Sequence, residues 1–249
     1  PKYGRKNDIL NCDISLSEKV VLDSFENCPE LGRFILINRV TNMTAACGTI
    51  CHPLRRSDNL TWQNLDVTRE LRANQMNQKP CTIWFTGLSG AGKSTIANAL
   101  EKALISIGKH TMILDGDNVR MGLNCDLGFS ERDRVENVRR IAQTARLMND
   151  AGLIVLVAAI SPFSSDRRSA RIIIGEAFFE VYVDTSLDEC KKRDVKGLYE
   201  KSRRGELPNF TGVDSPYEIP ENPEMTVFTE KASVEDIVDR IVEKAGLNG

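Results

Sequence analysis

Residues 87–94 read GLSGAGKS, a complete GxxxxGKS run set between an apolar segment, CTIWF at 81–85, and an amphipathic one that continues to about Ile107. The placement commits the chain to a strand, a tight turn and a helix start. Glycines let backbone amides turn toward phosphate oxygens, and the first helical turn adds unsatisfied N–H groups and a partial positive field. The run predicts a cradle made of Gly87, Leu88, Ser89, Gly90, Ala91 and Gly92. Lys93 is expected on the β- and γ-phosphates of a nucleoside triphosphate, Ser94 on Mg²⁺ through its hydroxyl, and Thr95 as support for the helix.

The strand-and-helix alternation repeats downstream of the loop. TMILD at 111–115, LIVLVAAI at 153–160, FFEVYVD at 178–184 and MTVF at 225–228 are continuous apolar runs, and a polar–apolar repeat spans about 132–150. With 81–85 they predict an α/β fold with about five parallel strands, dry on both faces and covered by helices. Ser130 with Asp133, Ser186 with Glu189 and Ser233 with Asp236 have the spacing of helix-start capping boxes, and a last helix is expected near 234–245.

Upstream the pattern differs. KVVLD at 19–23, GRFILINRV at 32–40 and AACGTI at 45–50 read as strands punctuated by Pro29, Gly32, Asn38 and Gly48, too few to close a barrel. Residues 52–79 lack periodicity, carry Arg55, Arg56, Arg69 and Arg72, and read as a connector packed on the next domain or as a strap approaching its site. The chain opens on Pro1 with no signal-like segment, so its true start is expected further upstream.

Thirty-three Lys and Arg against 35 Asp and Glu leave a net charge of −2, which gives no global pull toward nucleic acid or an acidic membrane. No apolar run approaches the roughly 20 residues that cross a bilayer. Seven cysteines without a close repeated CxxC pattern fit a reducing cytosol, and Cys47, Cys51 and His52 lack a fourth ligand for a metal.

The glycine loop alone does not choose among kinases, motors and switches. Asp115 and Asp117, in DGDNVR at 115–120, fall at the end of the second strand of the 79–249 region, where open α/β sheets present ligands. Asp117 can position an alcohol and take its proton, while Asp115 orients it or organises Mg²⁺ through water. Phe129 precedes Arg134 and Asn137 on one helix, a set able to hold an anionic nucleotide, although surface-helix chemistry and an ordinary core place for Phe129 stay open. Residues 190–213 mix basic, glycine and aromatic residues like a closing lid, with a merely solvated basic helix as the alternative.

Taken together, GLSGAGKST, DGDNVR, LGFSERDRVENVRR, ISPF, RDVKGLYEKSRRGE and NFTGVDSPYE resemble the adenylyl-sulfate kinase (APS kinase) family across 79–249. SFENCPELGRFILINRVTNMTAACGTI at 24–50 resembles the last strands of the third domain of translation-factor-like GTPases, which also occurs in the large subunit of sulfate adenylyltransferase. None of the GTPase nucleotide motifs is upstream, so no GTPase activity is expected of this part. The whole chain is therefore similar to the C-terminal part of a bifunctional large subunit fused to APS kinase. That resemblance implies a P-loop nucleoside/nucleotide kinase-like sheet with a partial N-terminal β segment, divided as 1–51 barrel ending, 52–78 linker and 79–249 kinase.

It also implies transfer of the ATP γ-phosphate to the 3′-hydroxyl of adenylyl sulfate. On matching motif positions, Asp117 is the acceptor-orienting base and Asp115 its support. Phe129 and Phe210 sandwich the acceptor adenine, while Arg120, Arg134 and Asn137 hold its ribose and anionic region. Lys196 is placed near the phosphates and Arg193 on the ATP adenine side of the lid. Ser161 matches a serine phosphorylated in some members but equally suits a strand-end turn, and direct transfer is the reading taken. Ser186, Val195 and Pro208 depart from common forms and bear on lid dynamics. A kinase-domain homodimer, a small sulfate adenylyltransferase subunit as partner, and a cytoplasmic location without nucleic acid or membrane are further implications. Another small-molecule kinase and a catalytically silent nucleotide-binding module remain as alternatives.

Overall fold

The computed structural model describes residues 20–51, 63, 65–194, 197–207 and 210–248, with isolated positions 9, 12, 14 and 16. The chain divides into two compact units, Pro1–Asn64 and Leu65–Gly249, each with its own architecture.

In the first unit β1 (Arg33–Ile37) pairs antiparallel with β2 (Thr44–Thr49), in a register running from Arg33 opposite Thr49 to Leu36 opposite Ala46, with an irregularity before Ile37. Asn38 shapes the connecting loop, its Oδ1 accepting from the N–H groups of Val40 at 2.9 Å and Thr41 at 3.0 Å. Ile35 and Ile37 stay exposed, so within the described residues this pair does not bury its apolar face. The strand expected at 19–23 is absent from the described positions 20–23. Asp23 accepts from the Ser24 N–H at 2.7 Å and Ser24 Oγ from Asn27 N, so the chain is turning there, and no partner strand supplies a ladder among the described residues.

The second unit holds β3 (Thr82–Thr86), β4 (Thr111–Asp115), β5 (Ile154–Ala158), β6 (Phe178–Asp184) and β7 (Met225–Phe228). They form the expected five-stranded parallel sheet, ordered β4-β5-β3-β6-β7. Alternation divides its central strands between two cores. Ile83, Phe85, Ile154 and Leu156 pack under α2 (Lys93–Ser106) and α8 (Val234–Lys244), against Leu100, Leu104, Ile237 and Ile241. Trp84, Val155 and Val157 pack on the opposite face under α4 (Glu131–Asp150) and α5 (Ser164–Ile174), against Ile141, Ala145, Ala170 and Ile174. Each such Val, Leu, Ile or Phe side chain contributes about 1.5–3 kcal/mol of burial. Central β3 feeds β4 on one side, while β5 crosses to β6 on the other, which opens a crevice at the carboxyl ends of these strands.

All three serines cap their helices, although at Ser186 the return bond of a capping box is replaced by one from its N–H to Glu230 Oε1. Ser130, Ser186 and Ser233 each accept from the backbone N–H three residues on, and Ser130 and Ser233 also donate to Asp133 and Asp236 at 2.7 Å.

The stretch read as connector contains a helix, α1 (Arg69–Gln75), started by Thr68. It is too short to show periodicity and is held by specific bonds: Arg69 to Pro80 O, and Arg72 to Asp150 O at 2.9 Å. Just beyond it, Gln78 donates to His110 O and Gly152 O and accepts from His110 N. Pro80, His110 and Gly152 precede β3, β4 and β5, so residues 69–78 fasten the edge opposite the glycine loop. For these residues the strap approaching the site does not hold; Arg55 and Arg56 lie outside the described residues.

Gln78→Ala would leave the buried Gly152 carbonyl and the His110 N–H without the partner Gln78 gives them, while His110 O keeps the Ile154 N–H, at a cost of about 1–3 kcal/mol. Urea unfolding should show a lower midpoint at unchanged slope, and an unmoved midpoint would contradict this role.

Candidate functional site

The glycine loop is set by backbone approach. Gly87 has φ +148° and Gly90 φ +77°, both unfavourable for residues with a Cβ. A Cβ on Gly87 would lie 2.6 Å from the Val183 carbonyl oxygen, and one on Gly90 would lie 2.9 Å from that of Cys190. Gly92, at φ +104°, starts α2.

Side chains then take up the loop's carbonyls. Lys93 Nζ donates to Gly87 O at 2.9 Å and Leu88 O at 2.7 Å. The Tyr199 hydroxyl donates to Ser89 O at 2.8 Å, while Thr185 and Arg193 donate to Ala91 O. With these carbonyls engaged by the protein, the loop presents its amide side, which is what a phosphate requires. Arg193 also reaches Thr229 and Glu189, which places it beside the loop at Gly92. Tyr199 belongs to α7 (Leu198–Arg203), which follows α6 (Leu187–Arg193). Lys196 lies between these helices and outside the described residues.

The second rim is built by α3 (Gly116–Met121), a short helix that follows directly on β4. Asp115 starts it, Oδ1 accepting from Asp117 N at 3.0 Å, while Oδ2 accepts from Ser94 Oγ at 2.6 Å. A hydroxyl and a carboxylate thus meet at the first turn of α2, an all-oxygen pair suited to a hard cation such as Mg²⁺. Asp117 is exposed in the first turn of α3, and Thr95 is exposed in the first turn of α2.

In the last turn of α3, Arg120 donates to Gly128 O at 2.7 Å and lies 4.7 Å from the Phe129 ring centre. Arg134 donates to Phe129 O at 3.2 Å and to Thr211 Oγ1 at 2.8 Å, drawing together the backbone at Phe129 and the residue after Phe210. Burial lowers the pKa of both guanidinium groups, and the nearby Arg120 charge adds to the effect at Arg134. Two crowded cations beside a 62% exposed aromatic ring form a place that favours an anion carrying a planar group. Phe210 meets Tyr199 edge-on at 5.0 Å, so it is tied through Tyr199 to the loop. Asn137 is buried and accepts from Asn124 Nδ2 at 2.9 Å.

Ser161 sits in the left-handed region at φ +47° and is 3% exposed. Its Oγ accepts from Trp84 Nε1 at 3.1 Å, and its carbonyl accepts from Arg167 at 2.8 Å. The structure therefore gives its hydroxyl a structural partner at the strand end.

Several contributors escaped the sequence reading. Arg167, 3% exposed, bonds Ser161 O and Glu218 O and pairs with Glu180 at 3.0 Å, tying the β5 end, β6 and the 217–218 segment together. Burial raises the Glu180 carboxyl although Arg167 and Arg171 oppose it. Tyr217 donates to Thr86, whose hydroxyl donates to Ile160 O, directly beneath the loop. In SDRRSAR nothing distinguishes Arg167 from an arginine exposed to solvent. Tyr199 lies inside RDVKGLYEKSRRGE, but nothing local marks its hydroxyl.

Residues 79–228 match the family described as Adenylylsulphate kinase, and residues 1–51 match GTP-eEF1A C-terminal domain-like. A "Bifunctional enzyme NodQ" from Rhizobium sp. (strain N33) is 55% identical over 236 residues, 94% of this chain and 36% of that protein. An "Adenylyl-sulfate kinase" from Clostridium acetobutylicum is 52% identical over 189 residues, 76% of this chain and 94% of that protein. The solved structure of the Mycobacterium tuberculosis APS kinase CysC, in complex with AMPPNP and APS, shares 46% identity at a TM-score of 0.66. It covers 68% of this chain and 98% of that one. The chain spans 36% of the length of the bifunctional NodQ relatives it matches.

Gly87→Ala places a methyl group against backbone, at a cost of about 1–3 kcal/mol in local strain. Titration with a nonhydrolysable nucleoside triphosphate should show at least about tenfold weaker binding, equal to about 1.4 kcal/mol. Unchanged affinity would mean that the loop does not depend on this approach.

Proposed function

The chain belongs to the adenylylsulphate kinase family, and from that premise we propose that it transfers the γ-phosphoryl group of ATP to the 3′-hydroxyl of adenylyl sulfate, giving ADP and 3′-phosphoadenylyl sulfate. The observation that carries the reading is the 2.6 Å bond from Ser94 Oγ to Asp115, which joins the phosphate loop to the turn bearing Asp117. That bond supports a reading in which donor and acceptor groups share one rim, as in-line transfer requires.

In this proposal Lys93 exchanges its loop carbonyl partners for the β- and γ-phosphate oxygens. Ser94, with Asp115 through water, would hold Mg²⁺, which when bound offsets charge on the transferring phosphate. Asp117 orients the acceptor hydroxyl and accepts its proton. Phe129 and Phe210 enclose the acceptor adenine, and Arg120, Arg134 and Asn137 hold its ribose and anionic groups. Arg193 serves the ATP side, and Lys196 keeps the phosphate role that the resemblance gives it. Direct transfer is favoured because Ser161 Oγ is buried and already accepts from Trp84.

The proposed division remains a barrel ending at 1–51, a linker and a kinase, with α1 as a structural extension of the kinase unit. A kinase homodimer and a small sulfate adenylyltransferase subunit, in a longer protein of the bifunctional kind, complete the proposed assembly. A cytoplasmic setting is supported by seven unpaired cysteines. Among the described residues no helix is long and apolar enough to cross a membrane.

Asp117→Asn should leave ATP affinity nearly unchanged and reduce formation of phosphorylated adenylyl sulfate by about 10²–10⁴-fold. Turnover near that of the parent protein would overturn the role of Asp117.

A further inference from the structure

We propose that Asn124 is a positioning residue for the acceptor site, fixing which end of the Asn137 amide meets the acceptor and holding the turn that carries Phe129 against α4. The proposal rests on the reading of Asn137 as an acceptor contact.

Asn124 is fully buried, and its Nδ2 donates to Asn137 Oδ1 at 2.9 Å. Its own Oδ1 is buried with no hydrogen-bond partner among the described residues. A half-satisfied buried amide is a poor stabiliser, because an apolar side chain could fill such a place without leaving an orphan oxygen. What the amide supplies is polarity. By donating to Asn137 Oδ1 it leaves the Asn137 NH₂ as the end available to a ligand oxygen, the match required by an anionic, hydroxyl-bearing acceptor. Turning both amides over would bury the Asn124 NH₂ without an acceptor, and orphan donors are rarer in protein interiors than orphan carbonyl oxygens.

Asn124 also anchors the whole turn. Its N–H donates to Val119 O at 2.9 Å and its carbonyl accepts from Leu127 N at 3.0 Å. Arg120 donates to the carbonyls of Leu127 and Gly128, and Phe129 follows directly. A second tie to α4, the forked pair from Arg140 to Asp126 at 2.6 and 2.9 Å, is exposed to solvent and screened by salt. The Asn124–Asn137 bond is a buried polar tie between the piece bearing Arg120 and Phe129 and the helix bearing Arg134 and Asn137.

The test compares Asn124→Ala, Asn137→Ala and the double variant with ATP, Mg²⁺ and adenylyl sulfate. Asn124→Ala should raise KM for adenylyl sulfate by about tenfold or more, leave KM for ATP within about twofold, and add less than about twofold in the Asn137→Ala background. Unchanged acceptor KM, an equal rise in both KM values, or additive effects would overturn the positioning role. If Asn137→Ala itself leaves acceptor KM unchanged, the acceptor reading of Asn137 fails, and the proposal with it. Should Asn124→Ala not fold, the isosteric Asn124→Asp, whose carboxylate cannot donate to Asn137 Oδ1, should reproduce the acceptor-specific defect, and its parent-like acceptor KM would overturn the proposal.

Discussion

Backbone meets backbone where Gly87 lies against the Val183 carbonyl and Gly90 against that of Cys190, and the rest of the site depends on that spacing. Because no Cβ intervenes, the loop settles onto the ends of β6 and α6 closely enough for Lys93, Tyr199, Thr185 and Arg193 to reach its carbonyls. The amide-lined hollow follows from those bonds, and α2 leaves it with Ser94 placed to reach Asp115. A methyl group at the base of the loop would disturb each of these steps in turn.

The proposed acceptor side is held differently, by polar side chains in place of backbone packing. Arg134 spans from Phe129 to Thr211, Asn124 fastens its turn to α4, and Arg167 with Tyr217 braces the β5 end beneath the loop. Buried polar networks of this kind position groups narrowly when their partners are present. A glycine loop seated by backbone contact is thus combined with a wall at Phe129, Arg134 and Asn137 whose geometry is set by a few hydrogen bonds.

Much of this was legible in the sequence because it rests on local rules. The glycine run, the continuous apolar strands and the three serine caps each carry a spacing that their structure demands, and all appear where expected. Long-range determinants were not legible. Helix α1 draws its stability from Arg72 and Gln78 reaching residues more than thirty positions away, and KVVLD has strand composition but no strand beside its described positions. Arg167 and Asn124 look like ordinary polar residues until the fold buries them. The motif residues were found by pattern, whereas the residues that orient them become visible only through tertiary contacts.

The most direct measurement is chromatographic identification of the nucleotides formed when the purified chain is incubated with ATP, Mg²⁺ and adenylyl sulfate. The predicted result is ADP and 3′-phosphoadenylyl sulfate in equal amounts, with no ADP above background when adenylyl sulfate is omitted. Binding of ATP without any phosphorylated adenylyl sulfate, or ADP formation indifferent to the acceptor, would contradict it.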